Sequence, residues 1–429
     1  MKQYPKYKDS GVEWIGKIPE QWKIIKGKYA LTFNYGFPFD STKFTSMKDG
    51  NMPLLRIRDL SKGYCETYFE GNYPETSVIK ENDLLIGMDG DFNLVRWKGK
   101  DALLNQRICK LEKSDLNKKY MYYVLPFYLN IINDLTYFTT VKHLSGNDLL
   151  EQSYIFPPYP EQQAIAGFLD NKTTLIDEAI EKKQHLIELL QEQRTAIINH
   201  AVTKGLNPKV KMKDSGVEWL GDIPEHWSMQ RLASIGRFSK GKGISRADLI
   251  DNGIPAILYG DIYTKYHFKA IDLINQISED TAKNSAPINE GTLLFTASGE
   301  TFEDIGKTIV YLGKEVAYAG GDVIIFTQDE QDGEFLSYSL NTSYAQYQKS
   351  LTGRGDIIVH TSSSKLKNIL LSLPPIKEQQ QIINYLNQET LKIDQSIEKI
   401  KKEIELLQEY RTALISEAVT GKIDVRGLA

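Results

Sequence analysis

The stretch PPYPEQQ (157–163) opens a long helical pattern that runs to Thr203, and PPIKEQQ (374–380) opens a second one that runs to Thr420. At a constant offset of 217 residues, the two 47-residue segments share 26 identical residues. In both segments apolar side chains recur at alternating steps of four and three residues, which is typical of a two-stranded coiled coil. The sequence therefore predicts two long helices, each of which needs a helical partner.

The predicted contact seam uses the apolar positions of this register. It consists of Leu169, Ile176, Ile180, Ile187, Leu190 and Ile197 in the first segment, and of Leu386, Ile393, Ile397, Ile404, Leu407 and Leu414 in the second. The proline pairs are expected in the first helical turn, and Gly205 and Gly421 are expected stop signals. A helix of roughly 43 residues would be about 65 Å long. The alternative is that each helix packs on its own domain, but the sustained heptad pattern favours the coiled coil.

A second duplication lies upstream of each helical segment. KDSGVEWIGKIPEQW (8–22) and KDSGVEWLGDIPEHW (213–227) share 12 of 15 residues, and we interpret them as packed, turn-rich segments where each domain begins. Short apolar runs bounded by turn residues follow and predict strands. In the first half these are 53–57, 83–87 and 106–111, followed by a buried helix over 120–135, and 254–258 and 292–296 correspond to the first two runs in the second half.

These patterns together predict an α+β protein with a pseudo-two-fold internal repeat. Two similar globular domains, 1–156 and 205–373, would be separated by two long helices, 157–204 and 374–429 with its tail. Because only about eight residues link the first helix to the second domain, the second helix must run back antiparallel for the seams to meet. The expected architecture is two globular domains held apart by a coiled-coil spacer.

Composition bounds the function classes only loosely. The chain has 429 residues, of which 41% are hydrophobic and 25% charged, and its formal net charge is -4. Two cysteines, Cys65 and Cys109, form neither a metal-binding spacing nor a disulfide framework, and the N-terminal residues carry no apolar signal region, so we expect a cytoplasmic protein. An acidic net charge does not support nucleic-acid binding, so a DNA-binding interpretation must rest on local charge.

No catalytic or metal-binding arrangement emerges from the sequence. Phe156-Pro157-Pro158-Tyr159 resembles the base-gripping loop of amino-methyltransferases, but it lacks the Asn or Asp that would accept from the target amino group. The stretch 236–243 resembles a phosphate-binding P-loop, but Gly243 stands where a Ser or Thr is needed. We therefore expect neither catalysis nor a metal in this chain.

Locally basic, flexible and aromatic stretches remain as candidate DNA-binding surfaces, with ordinary solvated loops as the alternative. In the second domain the candidates are Arg237, Lys240, Lys242, Ser245, Arg246, Tyr263 and His267. In the first domain they are Tyr35, Lys43, Lys48, Arg96, Lys98 and Lys100. Flexible glycines beside lysines would let backbone amides and ammonium groups approach phosphates closely.

The duplicated PPxxEQQ helices and the duplicated DSGVEWxGxIPExW segments resemble the specificity subunit of Type I restriction-modification enzymes over nearly the whole chain. That resemblance implies two target recognition domains, each reading one half of a bipartite, asymmetric site in double-stranded DNA. It also implies a helical spacer that docks modification (methyltransferase) subunits, with two such subunits expected, and restriction or translocase subunits reached through the complex. S-adenosylmethionine, ATP and Mg²⁺ are expected on those partners and no cofactor in this chain.

Two alternatives stay open at the level of sequence. A structural adaptor could use its two domains to bind proteins, and a specificity module could belong to a related system in which modification and cleavage are fused. Salt-sensitive DNA binding separates the first alternative from a DNA-reading subunit, because neutralising phosphates releases counterions.

Overall fold

Residues 2–135, 142–299, 301–302, 304–355 and 359–428 are described by the computed structural model. They fall into two units, one formed by Met1–Lys183 with Lys402–Ala429 and the other by Gln184–Lys401. Each unit therefore contains one globular part and a portion of each long helix. Below, residues 2–204 are called the first repeat and residues 205–428 the second repeat.

Short strands dominate the globular part of the first repeat. In chain order they are β1 Tyr7–Asp9, β2 Lys17–Pro19, β3 Lys23–Lys26, β4 Leu31–Tyr35, β5 Phe44–Thr45, β6 Met52–Leu55, β7 Thr67–Phe69, β8 Val78–Ile79, β9 Leu84–Gly87, β10 Leu94–Arg96, β11 Ala102–Leu104, β12 Ile108–Ser114 and β13 Ser153–Phe156. The helices are α1 Lys118–Leu135, α2 Gly146–Leu150 and the long α3 Tyr159–Lys204. The predicted strand over 53–57 ends at Leu55, because Ile57 already begins a 3-10 turn.

Two sheets share the core of the first repeat. One sheet has the strand order β10-β9-β12-β4, and the other has the order β5-β7-β6-β11-β8. Along β9, Leu84 and Ile86 pack with Tyr120 of α1, whereas Leu85 faces a second cluster that contains Trp97. A strand covered on both faces needs apolar residues at consecutive positions, which explains the continuous Leu-Leu-Ile run.

The second repeat has its own strands and helices. The strands are β14 Met212–Asp214, β15 Asp222–Pro224, β16 Ser228–Arg231, β17 Gly236–Lys240, β18 Leu249–Ile250, β19 Ile254–Ile257, β20 Lys269–Ala270, β21 Asn275–Ile277, β22 Ala286–Ile288, β23 Leu293–Thr296, β24 Ser298–Gly299, β25 Thr308–Tyr311, β26 Ala317–Ala319, β27 Val323–Gln328, β28 Val359–His360 and β29 Leu370–Leu373. The helices are α4 Tyr259–Thr264, α5 Glu279–Lys283, α6 Gly333–Leu340, α7 Ser343–Ser350, α8 Ser363–Leu366 and the long α9 Ile376–Val419.

The sheets of the second repeat follow the same plan. Their strand orders are β17-β27-β23-β25-β20 and β18-β21-β19-β26-β22, so β4, β12, β9 and β10 correspond to β17, β27, β23 and β25. In both repeats the second sheet contains one inner parallel pair, β6 with β11 in the first repeat and β19 with β26 in the second. Antiparallel strands flank each of these pairs. The internal repeat predicted from the sequence is therefore confirmed in the fold.

In each repeat, the tryptophan that ends the duplicated segment 8–22 or 213–227 forms a hydrogen bond with the glutamate near the start of the long helix. Trp22 is buried and its Nε1 donates to Glu161 Oε2 over 2.8 Å. Trp227 donates in the same way to Glu378 Oε1 over 3.2 Å. The next residue, Gln162, donates back to the Pro157 carbonyl over 2.9 Å and so fixes the start of the helix.

The long helices start later than the sequence suggests. Both proline pairs lie outside their helices, which begin at Tyr159 and Ile376. The expected position in the first turn is wrong, because Pro158 and Pro375 only flank the helices, where their carbonyls accept from the amides of Gln162 and Gln379. The expected stop signals are confirmed: Gly205 and Gly421 adopt positive φ values of 75° and 74°, which is the left-handed conformation that ends helices.

Within each unit the two long helices are joined by an ion pair, and the two pairs match at the repeat offset. In the first unit, Arg411 makes a bidentate pair with Asp177, with distances of 2.9 and 3.2 Å. In the second unit, Arg194 Nη2 lies 3.5 Å from Asp394 Oδ2. Arg411 corresponds to Arg194, and Asp394 corresponds to Asp177. The arginine therefore lies on α9 in the first pair and on α3 in the second.

One core position is filled differently in the two repeats. Phe92 is buried and adopts a positive φ of 48°, which is unusual for a residue with a side chain. The corresponding Gly306 has a φ of 68°, and the stem of Lys349 packs against it. Lys349 is fully buried, and its Nζ donates to the Gly306 carbonyl over 2.8 Å. Burial lowers the pKa of Lys349 to about 7.

Candidate nucleic-acid interface

A glycine that follows β4 in the first repeat and β17 in the second lies where several loops meet at one end of the repeat. A Cβ on Gly36 would lie 1.9 Å from the Asn105 carbonyl oxygen, and one on Gly241 would lie 2.0 Å from the Gly320 carbonyl oxygen. Both positions therefore require glycine. We call the loops gathered here the loop edge: 36–40, 88–93, 104–107 and 142–147 in the first repeat, and 241–246, 296–299, 319–322 and 359–361 in the second.

Four predicted cations of the second repeat are exposed, and three of them, Lys240, Lys242 and Arg246, lie at or beside its loop edge. Arg237 and Lys240 lie on β17, an edge strand, while Lys242 and Arg246 lie in the loop that follows. The Lys242 amide donates to the Ala319 carbonyl, which holds the loop against the second sheet. Within the described residues none of these four side chains forms an ion pair. Their charges therefore face solvent.

Ser245 is engaged by its own turn. Its hydroxyl donates to Asp248 Oδ2 over 2.6 Å, and its amide donates to the same oxygen over 2.8 Å. These two hydrogen bonds lower the pKa of Asp248 and keep its carboxylate charged. Ser245 would have to leave Asp248 before it could contact DNA.

Tyr263 and His267 differ from the free surface groups that the sequence suggests. The Tyr263 hydroxyl donates to the Ser298 carbonyl over 3.0 Å and accepts from Thr296 Oγ1 over 2.8 Å, so it ties α4 to the loop edge. Burial lowers the pKa of His267, and the charges of Lys307 and Arg194 lower it further. A neutral imidazole adds no positive charge for binding a phosphate.

In the first repeat, Tyr35 lies at the loop edge, whereas Lys43 and Lys48 flank β5 of the other sheet. A Cβ on Gly146 would lie 1.5 Å from the Tyr35 hydroxyl, so this ring reaches the segment 142–147. Burial, followed by the charges of Cys109 and Asp148, raises the pKa of Tyr35. Both lysines are exposed to solvent.

The stretch from Arg96 to Lys100 is largely structural. The Arg96 guanidinium lies 4.9 Å from the centre of the Tyr122 ring and 4.0 Å from Asp170. The buried Trp97 donates to the Lys100 carbonyl over 2.8 Å, which closes the turn. Lys98 and Lys100 are exposed, and Lys98 borders a cleft of about 860 Å³ whose lining includes Asp170 and Asp177. Both aspartates are already paired with cations of the same cleft, Asp170 with Lys119 and Asp177 with Arg411.

The structure places two histidines at the loop edge that were not among the predicted site residues. His143 Nδ1 lies 2.7 Å from Asp89 Oδ1, and Arg107 Nη1 lies 3.5 Å from Asp89 Oδ2. In the second repeat, His360 Nδ1 lies 2.9 Å from Ser298 Oγ. A signal was present in the sequence, because His143 and His360 align at the same offset of 217 as the long helices.

Among the described residues no group of three or more His, Cys, Asp or Glu side chains could hold a metal ion. No helix in the described part of the chain combines the length and the apolar character that a membrane span requires.

Solved structures share this fold. One chain, from a study of complex assembly and conformational transition of the type I R-M system, aligns with a TM-score of 0.70 at 14% identity over 95% of this chain and 99% of its own length. The HsdS subunit from Thermoanaerobacter tengcongensis aligns with a TM-score of 0.51 at 15% identity, over 99% of this chain and 100% of its own length.

Sequence comparison adds named relatives. This chain is 36% identical to the Type I restriction enzyme EcoBI specificity subunit of Escherichia coli over 233 residues, which span 53% of this chain and only 49% of that relative. It is 23% identical to the MjaVIII specificity subunit of Methanocaldococcus jannaschii over 96% of this chain and 95% of that relative. The family model of the Type I restriction modification DNA specificity domain matches twice, at residues 22–190 and 224–406. The chain therefore belongs to the Type I restriction modification DNA specificity family, with one domain match in each repeat.

Proposed function

We propose that this protein reads a bipartite, asymmetric site in double-stranded DNA, with one globular domain for each half-site. The observation that carries the proposal is the pair of matched loop edges. Gly36 and Gly241 hold the same backbone arrangement in both repeats, yet the loops that follow present different side chains, such as Phe37 and Lys242. One scaffold with two different surfaces is what two different half-sites require.

We further propose that α3 and α9 form an antiparallel coiled-coil spacer. The matched pairs Asp177–Arg411 and Arg194–Asp394 support a single helix register. The burial of the predicted seam residues supports the same proposal, since each of them is buried or half-buried. Helices that keep one register along their length are suited to holding two domains at a fixed separation.

The spacer also offers a surface for partner subunits. Several large apolar side chains remain exposed on the two helices, namely Leu175, Leu186, Leu189, Leu391, Leu406 and Tyr410. Exposed apolar groups on long helices are suited to protein docking. We propose that modification subunits, two in number, dock here and connect the protein to restriction or translocase subunits.

In this proposal the chain itself is non-catalytic and cytoplasmic, and it binds no cofactor. S-adenosylmethionine, ATP and Mg²⁺ would be bound by the partner subunits. Exposed cations at the loop edge favour DNA over the protein ligands of a two-headed adaptor. A system with fused modification and cleavage subunits would use the same loop edges, and co-purification of separate subunits distinguishes it.

Exchange of one domain tests the proposal. We expect replacement of residues 23–156 by the equivalent segment of a relative to change one half of the methylated motif and to leave the other half intact, because each sheet pair has its own core. Methylome sequencing of strains that carry the parent or the hybrid gene measures both halves. A parent gene that adds no methylated motif would reject the DNA-reading function, and a hybrid that changes both halves would reject the assignment of one domain to each half.

The exposed lysines of the second repeat yield a separate prediction. We expect Lys240→Ala and Lys242→Ala each to weaken binding about equally on all duplexes and to reduce the salt dependence by roughly one unit, as lost phosphate contacts do. Lys314→Ala is the matched control, because this exposed lysine follows β25 at the opposite end of the same sheet. Fluorescence anisotropy of the assembled complex at several salt concentrations measures the slopes, and an unchanged slope in both variants would contradict a phosphate role.

If Arg246 instead contacts a base, its removal has a different signature. We expect Arg246→Ala to relax discrimination at one position by about 1 to 3 kcal/mol. The same titrations with singly substituted duplexes measure this loss, and a uniform loss on all duplexes would place Arg246 among the phosphate contacts.

A further inference from the structure

We infer that His143 and His360, with the side chains around them, are base-reading groups of the two half-sites. The inference rests on the proposed DNA-reading function and assigns residues to it. It begins from the matched geometry of the two loop edges, where each histidine meets the loop that follows the central strand of its sheet.

The backbone around both histidines is the same. In the first repeat, His143 pairs with Asp89 as an isolated bridge, and the Leu144 amide donates to the Met88 carbonyl over 2.7 Å. In the second repeat, His360 pairs with Ser298, and the Thr361 amide donates to the Ala297 carbonyl over 2.9 Å. A frame built from backbone hydrogen bonds holds both imidazoles in place whatever the neighbouring side chains are.

The neighbouring side chains differ in hydrogen-bonding character. Asp89, an acceptor, corresponds to Ser298, which can donate or accept. Arg107, a donor, corresponds to Asp322, because their carbonyls accept from the matched amides of Met88 and Ala297. Identical histidines surrounded by different donors and acceptors give each repeat its own pattern for reading base edges.

These groups are accessible. The side chains of His143 and Arg107 are 49% and 55% exposed, and that of Asp89 is 28% exposed. Within the described residues, the Nε2 atoms of His143 and His360 make no hydrogen bond. A histidine that served only the core would bury its ring and satisfy both nitrogens.

The surroundings also fit a DNA contact. In the second repeat, the loop 319–322 contacts both the loop that carries Lys242 and the loop beside His360. The Ala319 carbonyl accepts from the Lys242 amide, and the Asp322 carbonyl accepts from the Ala297 amide. Lys242, which we propose binds phosphate, and the His360 site therefore lie along one continuous edge. In the first repeat, Arg107 and Gln106 border a concavity of about 340 Å³. In DNA recognition, cations usually position the DNA backbone, and a few neighbouring groups specify the bases.

The test uses the full chain in complex with its modification subunits. The motif is first determined by methylome sequencing, and anisotropy then measures affinity for the cognate duplex and for duplexes with one substituted base pair. We expect His143→Ala to reduce discrimination about 5- to 150-fold at one position of one half-site, and His360→Ala to do the same in the other half-site. Each variant is the matched control for the other, because its own second half-site should be unaffected.

Asp89→Asn provides a second variant of similar size. It changes the acceptor that holds His143 while preserving the volume of the loop, and we expect it to relax the same base position as His143→Ala. If the wild-type complex does not distinguish cognate from scrambled duplexes, the proposed function itself fails. If the wild type discriminates and the histidine variants discriminate equally well, or lose affinity uniformly on all duplexes, the present inference is overturned.

Discussion

Glu161→Ala is expected to destabilise the first unit by about 3 to 5 kcal/mol, because it leaves the donors of the buried Trp22 and Tyr4 without an acceptor. Glu161 accepts from Trp22 Nε1 over 2.8 Å, from Gln21 Nε2 over 2.7 Å and from the Tyr4 hydroxyl over 3.1 Å. Burial and the charge of Glu161 raise the pKa of Tyr4, so that phenol remains a donor. Thermal melting measures the loss, which should lower the melting temperature by about 10 °C.

The second repeat supplies the matched control. Glu378 accepts from Trp227 over 3.2 Å and lies 2.7 Å from His226 Nε2, but its side chain is 25% exposed, against 9% for that of Glu161. Water can replace the lost acceptor there, so Glu378→Ala should destabilise by only about 1 to 2 kcal/mol. Equal melting temperatures for the two variants would show that the buried network around Glu161 contributes no extra stability.

Lys349→Met is expected to stabilise the second unit at pH 6 by about 2 to 5 kcal/mol and to lose this advantage by pH 10. Burial lowers the pKa of Lys349 to about 7 from 10.5. Between these two values the unfolded chain binds a proton that the folded chain does not, so the stability of the wild type rises with pH through this window. Below pH 7 the full penalty of the buried ammonium is present, and above 10.5 it has vanished.

Methionine fits the site because it retains the length of the lysine stem. The Gly306 carbonyl keeps a second donor, since Thr308 Oγ1 donates to it over 2.9 Å. Urea unfolding at pH 6, 8 and 10 measures the difference between wild type and variant, which cancels the titration of all other groups. Lys314→Met, at an exposed position, should give a difference that does not vary with pH. A constant difference for Lys349→Met as well would contradict a strongly lowered pKa.

The parts of the fold that the sequence predicts well are those with local or repeated signals. The long helices follow from periodicity, and their ends at Gly205 and Gly421 follow from the left-handed conformation that glycine tolerates. The DSGVEW segments repeat, but their partner could not be named, because Trp22 and Glu161 are 139 residues apart and meet only in the folded chain.

The candidate site was harder to predict for a related reason. Charge and flexibility point to the loop of Lys240 and Lys242, and these lysines are exposed. The same signals miss the pairing of Tyr263 with Ser298, 35 residues away, and that of Arg96 with Asp170. The hydrogen bonding of Ser245 within its own turn could have been predicted, because Ser-x-x-Asp is a capping pattern in which the serine bonds to its own turn. Surface composition alone cannot separate a free cation from one that the fold has already neutralised.

One matched core position is filled by Phe92 in the first repeat and by Gly306 together with Lys349 in the second. This difference bears on how such proteins evolve. In the second repeat Gly306 and Lys349 compensate for one another, whereas the first repeat fills the matching position with Phe92, so Gly306 or Lys349 transplanted alone would meet the wrong neighbour. Gly306→Phe would drive an aromatic ring into the space that the Lys349 stem occupies. Descent with new specificity is therefore easier by recombination of whole domains than by gradual convergence of one repeat on the other, since recombination carries each compensated pair intact.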